Sequence, residues 1–253
     1  SGECASRTNL EMPDVQQELL AELAKTGKPV VLLNFAGRPT VLSWENEHIP
    51  AIMNVWFGGS EVGDALCDVI FGDKVPSGKL TTSMPKTTGQ EPLYYNHQNT
   101  GRPVPDDNQK FAKFASNCLD VSNGPLYPFG YGLSYTTFEY GDLKLSSHEA
   151  NMDDWKITAT INIKNTGSRD ADEIVQLYIR DMVASISRPV KELKGFQRIH
   201  LAAGENREIS FDITPEMLKF YNAELKHVIE PGDFQIMVGG NSKEVKTQNL
   251  TVK

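Results

Sequence analysis

Apolar positions along this chain change period once, and the change predicts two kinds of structure. In the first third they recur every third or fourth residue, between short uninterrupted apolar runs. Val15, Leu19, Leu20, Leu23 and Ala24 stand at helical spacing after Pro13, which suits a first helical position, and Gly27 follows as a stop. Pro29 then opens the run Val30-Val31-Leu32-Leu33, with Phe35 beyond it. A run without alternation suits a strand covered on both faces, as in a parallel sheet. Gly37-Arg38-Pro39 predicts a turn, followed by a short helix to about Glu47 and a second buried strand over Ala51 to Phe57. Val62, Ala65, Leu66, Val69 and Ile70 return to helical spacing, with Ser60 placed to cap that helix and Gly72-Asp73 to end it. Helix, strand, helix, strand, helix implies right-handed crossovers around a parallel sheet.

From about residue 136 the period is two. Ile157, Ala159, Ile161 and Ile163 alternate up to the turn Asn165-Thr166-Gly167. Val175, Leu177 and Ile179 follow, then Ile209, Phe211 and Ile213, and Phe234, Ile236 and Val238 after the turn Pro231-Gly232-Asp233. Short alternating strands between turn residues predict a β-sandwich of immunoglobulin or fibronectin type III character, without the Cys…Trp…Cys pattern of true immunoglobulin domains. Its expected core includes Ile161, Ile163, Val175, Leu177, Phe211, Phe234 and Ile236. Its acids, Asp170, Asp172, Glu173, Asp181, Glu205 and Glu208, are expected at turns and strand ends.

Between the two lies a stretch broken by Pro76, Pro85, Pro92, Pro103, Pro105, Pro125 and Pro128, yet rich in Tyr94, Tyr95, Phe111, Phe114, Tyr127, Phe129 and Tyr131. So many aromatic side chains predict an ordered connector and not a disordered linker. The fold class is therefore α/β plus all-β: an incomplete, mostly parallel α/β domain over 1–85, a connector over 86–135, and a fibronectin type III-like β-sandwich over 136–253.

Composition narrows the function. Acidic residues outnumber basic ones 33 to 25, a net charge of −8, which argues against a nucleic-acid-binding surface, since that would need clustered cations. No stretch approaches the roughly 20 apolar residues of a membrane span, and no basic start precedes an apolar run, so neither a membrane partner nor a signal peptide is expected. At 253 residues the chain is too short for a complete (β/α)₈ barrel with a sizeable second domain. Cys4, Cys67 and Cys118 form no framework or metal pattern and read as buried or semi-buried thiols, with one disulfide among them left open. The five histidines are scattered, so no metal or other cofactor is expected. Gly58-Gly59-Ser60-Glu61 lacks the order of a phosphate loop, and no G-x-S-x-G elbow occurs.

Several pieces, in order, carry a resemblance: Ser1-Gly2-Glu3-Cys4-Ala5-Ser6-Arg7, Lys28-Pro29-Val30-Val31, Gly37-Arg38-Pro39, Trp56-Phe57-Gly58-Gly59-Ser60-Glu61, Phe71-Gly72-Asp73 and Pro76-Ser77-Gly78-Lys79-Leu80. Asn99-Thr100-Gly101-Arg102-Pro103, Tyr127-Pro128-Phe129-Gly130-Tyr131-Gly132-Leu133-Ser134-Tyr135, Asn165-Thr166-Gly167 and the stretch from Ser187 to Phe196 continue it. Together they resemble the C-terminal portion of a glycoside hydrolase family 3 enzyme of the bacterial β-glucosidase type. The resemblance implies a three-part retaining enzyme whose barrel domain, carrying the aspartate nucleophile, precedes this segment. It places the candidate acid/base at Glu3, since a retaining glycosidase needs two carboxyl groups about 5–5.5 Å apart. The competing view of Glu3 is a solvated terminal glutamate. Arg7 is a candidate to orient a carboxylate or a sugar hydroxyl, as its fork of donors matches both, or else a surface ion pair. His97 and Arg102 are candidates to bind substrate within a stretch where aromatic faces and hydrogen-bond donors mix as they do in sugar sites; the competing view is an ordered connector whose aromatics merely pack.

The implied substrate is an oligosaccharide or β-glucoside, the implied partner the N-terminal barrel domain of the same protein, and the implied compartment periplasmic or secreted. The alternative is a non-catalytic glycan- or protein-binding module.

Overall fold

The computed structural model describes residues 3–99, 101–104 and 111–253. Ser1, Gly2, Thr100 and Pro105, quoted above, lie outside them. The first third contains α1 (Asp14–Lys25), β1 (Val31–Asn34), α2 (Ser43–His48), β2 (Ala51–Asn54) and α3 (Val62–Ile70). β1 and β2 pair in parallel, Val31 against Ala51 and Asn34 against Asn54. Gly27 and Gly72 take left-handed φ of 68° and 85° after α1 and α3, as the stop signals required.

Several details depart from expectation. β2 ends at Asn54, short of Phe57, because Trp56 adopts a left-handed φ of 56° that no strand continues. The helix after it starts at Val62 behind Glu61 without a side-chain cap, so Ser60 does not cap it. The apolar run is not covered on both faces: among the described residues only two strands form this sheet, and Val31, Phe35 and Phe57 are exposed. The helices repeat the pattern. α1 buries only Leu20, and α3 buries no residue fully. Val15 is 77% and Phe71 78% exposed. Among the described residues nothing packs on the apolar face that this layer presents. The cysteines are free, and Cys4 and Cys67 are exposed, not buried.

The remainder carries β3 (Phe138–Tyr140), β4 (Lys144–Leu145), β5 (Glu149–Ala150), β6 (Ile157–Asn165), β7 (Ala171–Asp181), β8 (Glu192–Leu201), β9 (Asn206–Ile213), α4 (Pro215–Leu218), β10 (Phe220–Tyr221), β11 (His227–Val228), β12 (Gly232–Gly239) and β13 (Val245–Val252). One sheet runs β5-β13-β12-β7-β8; in the other, β6 pairs with β3 and β4 along one edge and β9 along the other. All seven expected core residues are buried between the sheets. Alternation puts each of them on an inner face, where burial of a large apolar side chain contributes roughly 1.5–3 kcal/mol.

The connector is clasped at both ends. The amides of Leu80 and Met84 donate to the carbonyls of Tyr131 and Tyr127, and those of Gly130 and Leu126 donate back to Leu80 and Met84. Tyr95 stacks on Phe129 at 4.1 Å and meets Tyr178 edge-on at 6.0 Å, while Tyr127 stacks on Tyr131 at 5.2 Å. Tyr94, Phe111 and Phe114 stay exposed.

A charged knot closes the seam between the layers. Lys79 Nζ lies 3.1 Å from Glu173 Oε2 and donates to Gly132 O at 3.0 Å, and Tyr140 OH donates to Glu173 Oε1 at 2.8 Å. Glu173 is 3% exposed, so this acid is no turn or strand-end surface group. It points inward on β7 because the β-strand pleat alternates and its position shares the face of Val175.

Candidate functional site

β1 and β2 end side by side, and their last residues join: Asn34 Nδ2 donates to Asn54 Oδ1 at 2.8 Å and to Thr40 Oγ1 at 2.9 Å. Beyond this carboxyl edge, where parallel sheets offer crevices to ligands, runs the Gly37-Arg38-Pro39 turn. A Cβ on Gly37 would come within 2.9 Å of the Phe57 ring, so only glycine lets the two loops approach. From the turn, Arg38 Nη2 donates to the carbonyl of Arg7 and, at 3.3 Å, to that of Asn9. Leu10 O accepts from Val41 N at 3.0 Å, and Leu10 N donates to Thr88 Oγ1 at 3.2 Å. The N-terminal segment is thus fastened across the edge by its backbone.

Glu3 lies just upstream in an exposed turn, and Cys4 beside it takes a left-handed φ of 55°, a conformation costly for a residue with a Cβ. Arg7 is exposed, and its Nη1 donates to Glu11 O at 3.5 Å. His97 sits on the connector, with Nδ1 3.1 Å from Gln98 O and its carbonyl accepting from Val190 N at 2.9 Å. It lines a basin of about 600 Å³ together with Tyr94, Tyr95, Asn99 and Arg180. Arg102 is exposed, and its carbonyl accepts from Ser116 N at 2.7 Å. Among the described residues no hydrogen bond or ion pair joins Glu3 or Arg7 to His97 or Arg102. The pairs approach indirectly through the Thr88–Gln90 turn, where Thr88 holds the N-terminal segment and Gln90 lines the basin.

Sequence reasoning missed two groups here. Arg38 carried a turn signal and a place in the resemblance, but nothing in Gly-Arg-Pro says where the guanidinium will reach. Glu45, in the first turn of α2, is 2% exposed. Burial pushes its carboxyl above the ordinary range and Glu11 adds to this, while its own backbone amide and His48 pull the other way. In Ser43-Trp44-Glu45-Asn46-Glu47 no periodicity distinguished it from its solvated neighbour. Among the described residues no group of three or more His, Cys, Asp or Glu is placed to hold a metal ion.

Comparison with known proteins agrees with this architecture. Residues 1–135 match the glycosyl hydrolase family 3 C-terminal domain, and residues 173–242 match a fibronectin type III-like domain. A periplasmic β-glucosidase of Salmonella typhimurium is 48% identical over 244 residues, 96% of this chain and 32% of that protein. A β-xylosidase of Formosa agariphila is 43% identical over all of this chain and 34% of its own length. A crystal structure of β-glucosidase from Listeria innocua in complex with gluconolactone superimposes with a TM-score of 0.93 at 41% identity, covering 99% of this chain and 34% of that one. The chain spans about a third of the length of the curated relatives it matches.

Proposed function

Because the chain belongs to glycosyl hydrolase family 3, we propose that it supplies the acid/base half of a retaining β-glucosidase whose nucleophile stands on a barrel domain of the same protein. The observation that carries this reading is the N-terminal segment pinned across the carboxyl edge of β1 and β2 beside an uncovered apolar face. In this reading the residues divide into an α/β part over 1–85, a connector over 86–135 and a sandwich over 136–253. The barrel covers the apolar face of α1, β1 and Phe57.

Glu3, protonated, gives its proton to the glycosidic oxygen as the bond to the leaving group breaks. As carboxylate it then takes a proton from the water that hydrolyses the glycosyl-enzyme. Arg7 orients a carboxylate or sugar hydroxyl, and His97 and Arg102 bind substrate hydroxyls from the connector. β-Glucosides are the favoured substrates, and a periplasmic or secreted location follows the relative in Salmonella. The sandwich braces the assembly through the Lys79–Glu173 knot.

The test uses Glu3→Ala in the full-length protein. Turnover should fall by about 10²–10⁴ on substrates with poor leaving groups and far less on activated aryl glucosides, with azide restoring part of the latter. Equal losses on both substrates and no azide effect would remove Glu3 from the role. The chain purified alone should leave aryl β-glucosides intact, because it carries one of the two carboxyl groups.

A further inference from the structure

We infer that Arg38 is the positioning residue for the acid/base segment, an inference that rests on the reading of Glu3 above. Its guanidinium bridges the carbonyls of Arg7 and Asn9. The two acceptors are two residues apart in the chain. One guanidinium nitrogen, Nη2, therefore ties both carbonyls and sets the course of the backbone leading back to Glu3. Its partners are carbonyls and not a carboxylate, so the contact fixes position more than it neutralises charge.

Arg38 is itself held. It stands in the turn after β1, between Gly37, which packs against Phe57, and Pro39, and the turn is tied through Thr40 to the Asn34–Asn54 pair at the strand ends. A rigid sheet edge thus dictates where the guanidinium stands, and the guanidinium dictates where the segment stands. The downstream side is secured separately by Val41 N and Thr88 Oγ1 on Leu10. Without Arg38 the chain remains anchored at Asn9 and Leu10 through Thr88 and Val41, but the carbonyls of Arg7 and Asn9 lose their shared tether. Lysine is a poorer substitute, because the two Nη2 N–H groups are held in the guanidinium plane, whereas an ammonium on a flexible stem does not aim its donors in fixed directions.

The experiment compares Arg38→Ala, Arg38→Lys and Glu3→Ala in the full-length protein, with a series of aryl β-glucosides of graded leaving-group pKa. For Arg38→Ala, kcat should fall about 10–100-fold on the poorest leaving groups, the scale of an ångström-level misplacement. Loss should be slight on the most activated substrate and KM nearly constant. Guanidinium ion should recover part of kcat, and azide should not help poor leaving groups. Arg38→Lys should share the leaving-group dependence while melting near the parent temperature, which keeps the test open if the alanine variant fails to fold. A loss uniform across the series, or none, while Glu3→Ala shows its acid/base signature, overturns the positioning role alone. A Glu3→Ala variant without that signature overturns the underlying reading and the positioning role with it.

Discussion

Removing the Glu173 carboxylate tests whether the seam is held by a desolvated ion pair or merely decorated by one. In Glu173→Ala, Lys79 Nζ loses a partner at 3.1 Å and Tyr140 OH loses its acceptor at 2.8 Å. The pair is desolvated: the Lys79 and Glu173 side chains are only 14% and 4% exposed. Breaking a buried pair from one side costs about 3–5 kcal/mol, because an uncompensated charge stays behind. At about 2–4 °C per kcal/mol for a chain of this size, the melting temperature should drop by about 6–20 °C. Glu149→Ala is the control, since Lys253–Glu149 is closer at 2.6 Å yet 60% and 64% exposed, and such pairs are worth about 0–1 kcal/mol. Differential scanning calorimetry of both variants reads the contrast, and the double change Lys79→Met with Glu173→Met should recover most of the loss. Equal melting shifts for Glu173→Ala and Glu149→Ala would refute the reasoning, because distance and not burial would then set the energy.

Three further outcomes follow from the same coordinates. Glu45 has a raised folded pKa, so the folded state holds its proton more tightly and the ionised form destabilises above that pKa; Glu45→Gln should stabilise the chain at pH 7–8, and urea titrations should show the gain vanishing toward about pH 4. Asp172 is shifted the opposite way, by hydrogen bonds from His200 first and then Arg198; its stabilisation is present above the unfolded pKa and lost as pH falls through the lower folded one. With both partners 65% exposed, Asp172→Asn should cost under about 1 kcal/mol at pH 6 and nothing at acid pH, read by the same titrations. Leu177→Ala, in the sandwich core, should cost about 2–5 kcal/mol by chemical denaturation, whereas Leu225→Ala on the surface should stay within about 0.5 kcal/mol.

The sequence by itself determined the periodic parts of this protein. Alternation at Ile157, Ala159, Ile161 and Ile163 named the inner face of β6, because a strand has only two faces and a sandwich buries one. Helical spacing closed by Gly27 and Gly72 located α1 and α3, because left-handed backbone after a helix selects glycine. Ordered motifs were enough to suggest the family before any fold was known.

Tertiary structure alone decided which apolar faces are covered and which polar groups are inside. Val15 and Phe71 are as apolar as any core residue, yet they face outward because covering is a property of the neighbouring layer and not of the pattern. Asn165 read only as a turn residue. In the fold it is fully buried, accepting from Thr136 Oγ1 and Gly167 N and donating to the carbonyls of Arg169 and Leu201. Glu173 and Lys79, 94 positions apart by number, form one pair, and Arg38 reaches back 31 positions to Arg7. Hydropathy runs along the chain and registers each residue's own solvation. A desolvated charge or a guanidinium bridge depends on what another segment brings within about 3 Å, and only the closed fold makes those segments neighbours.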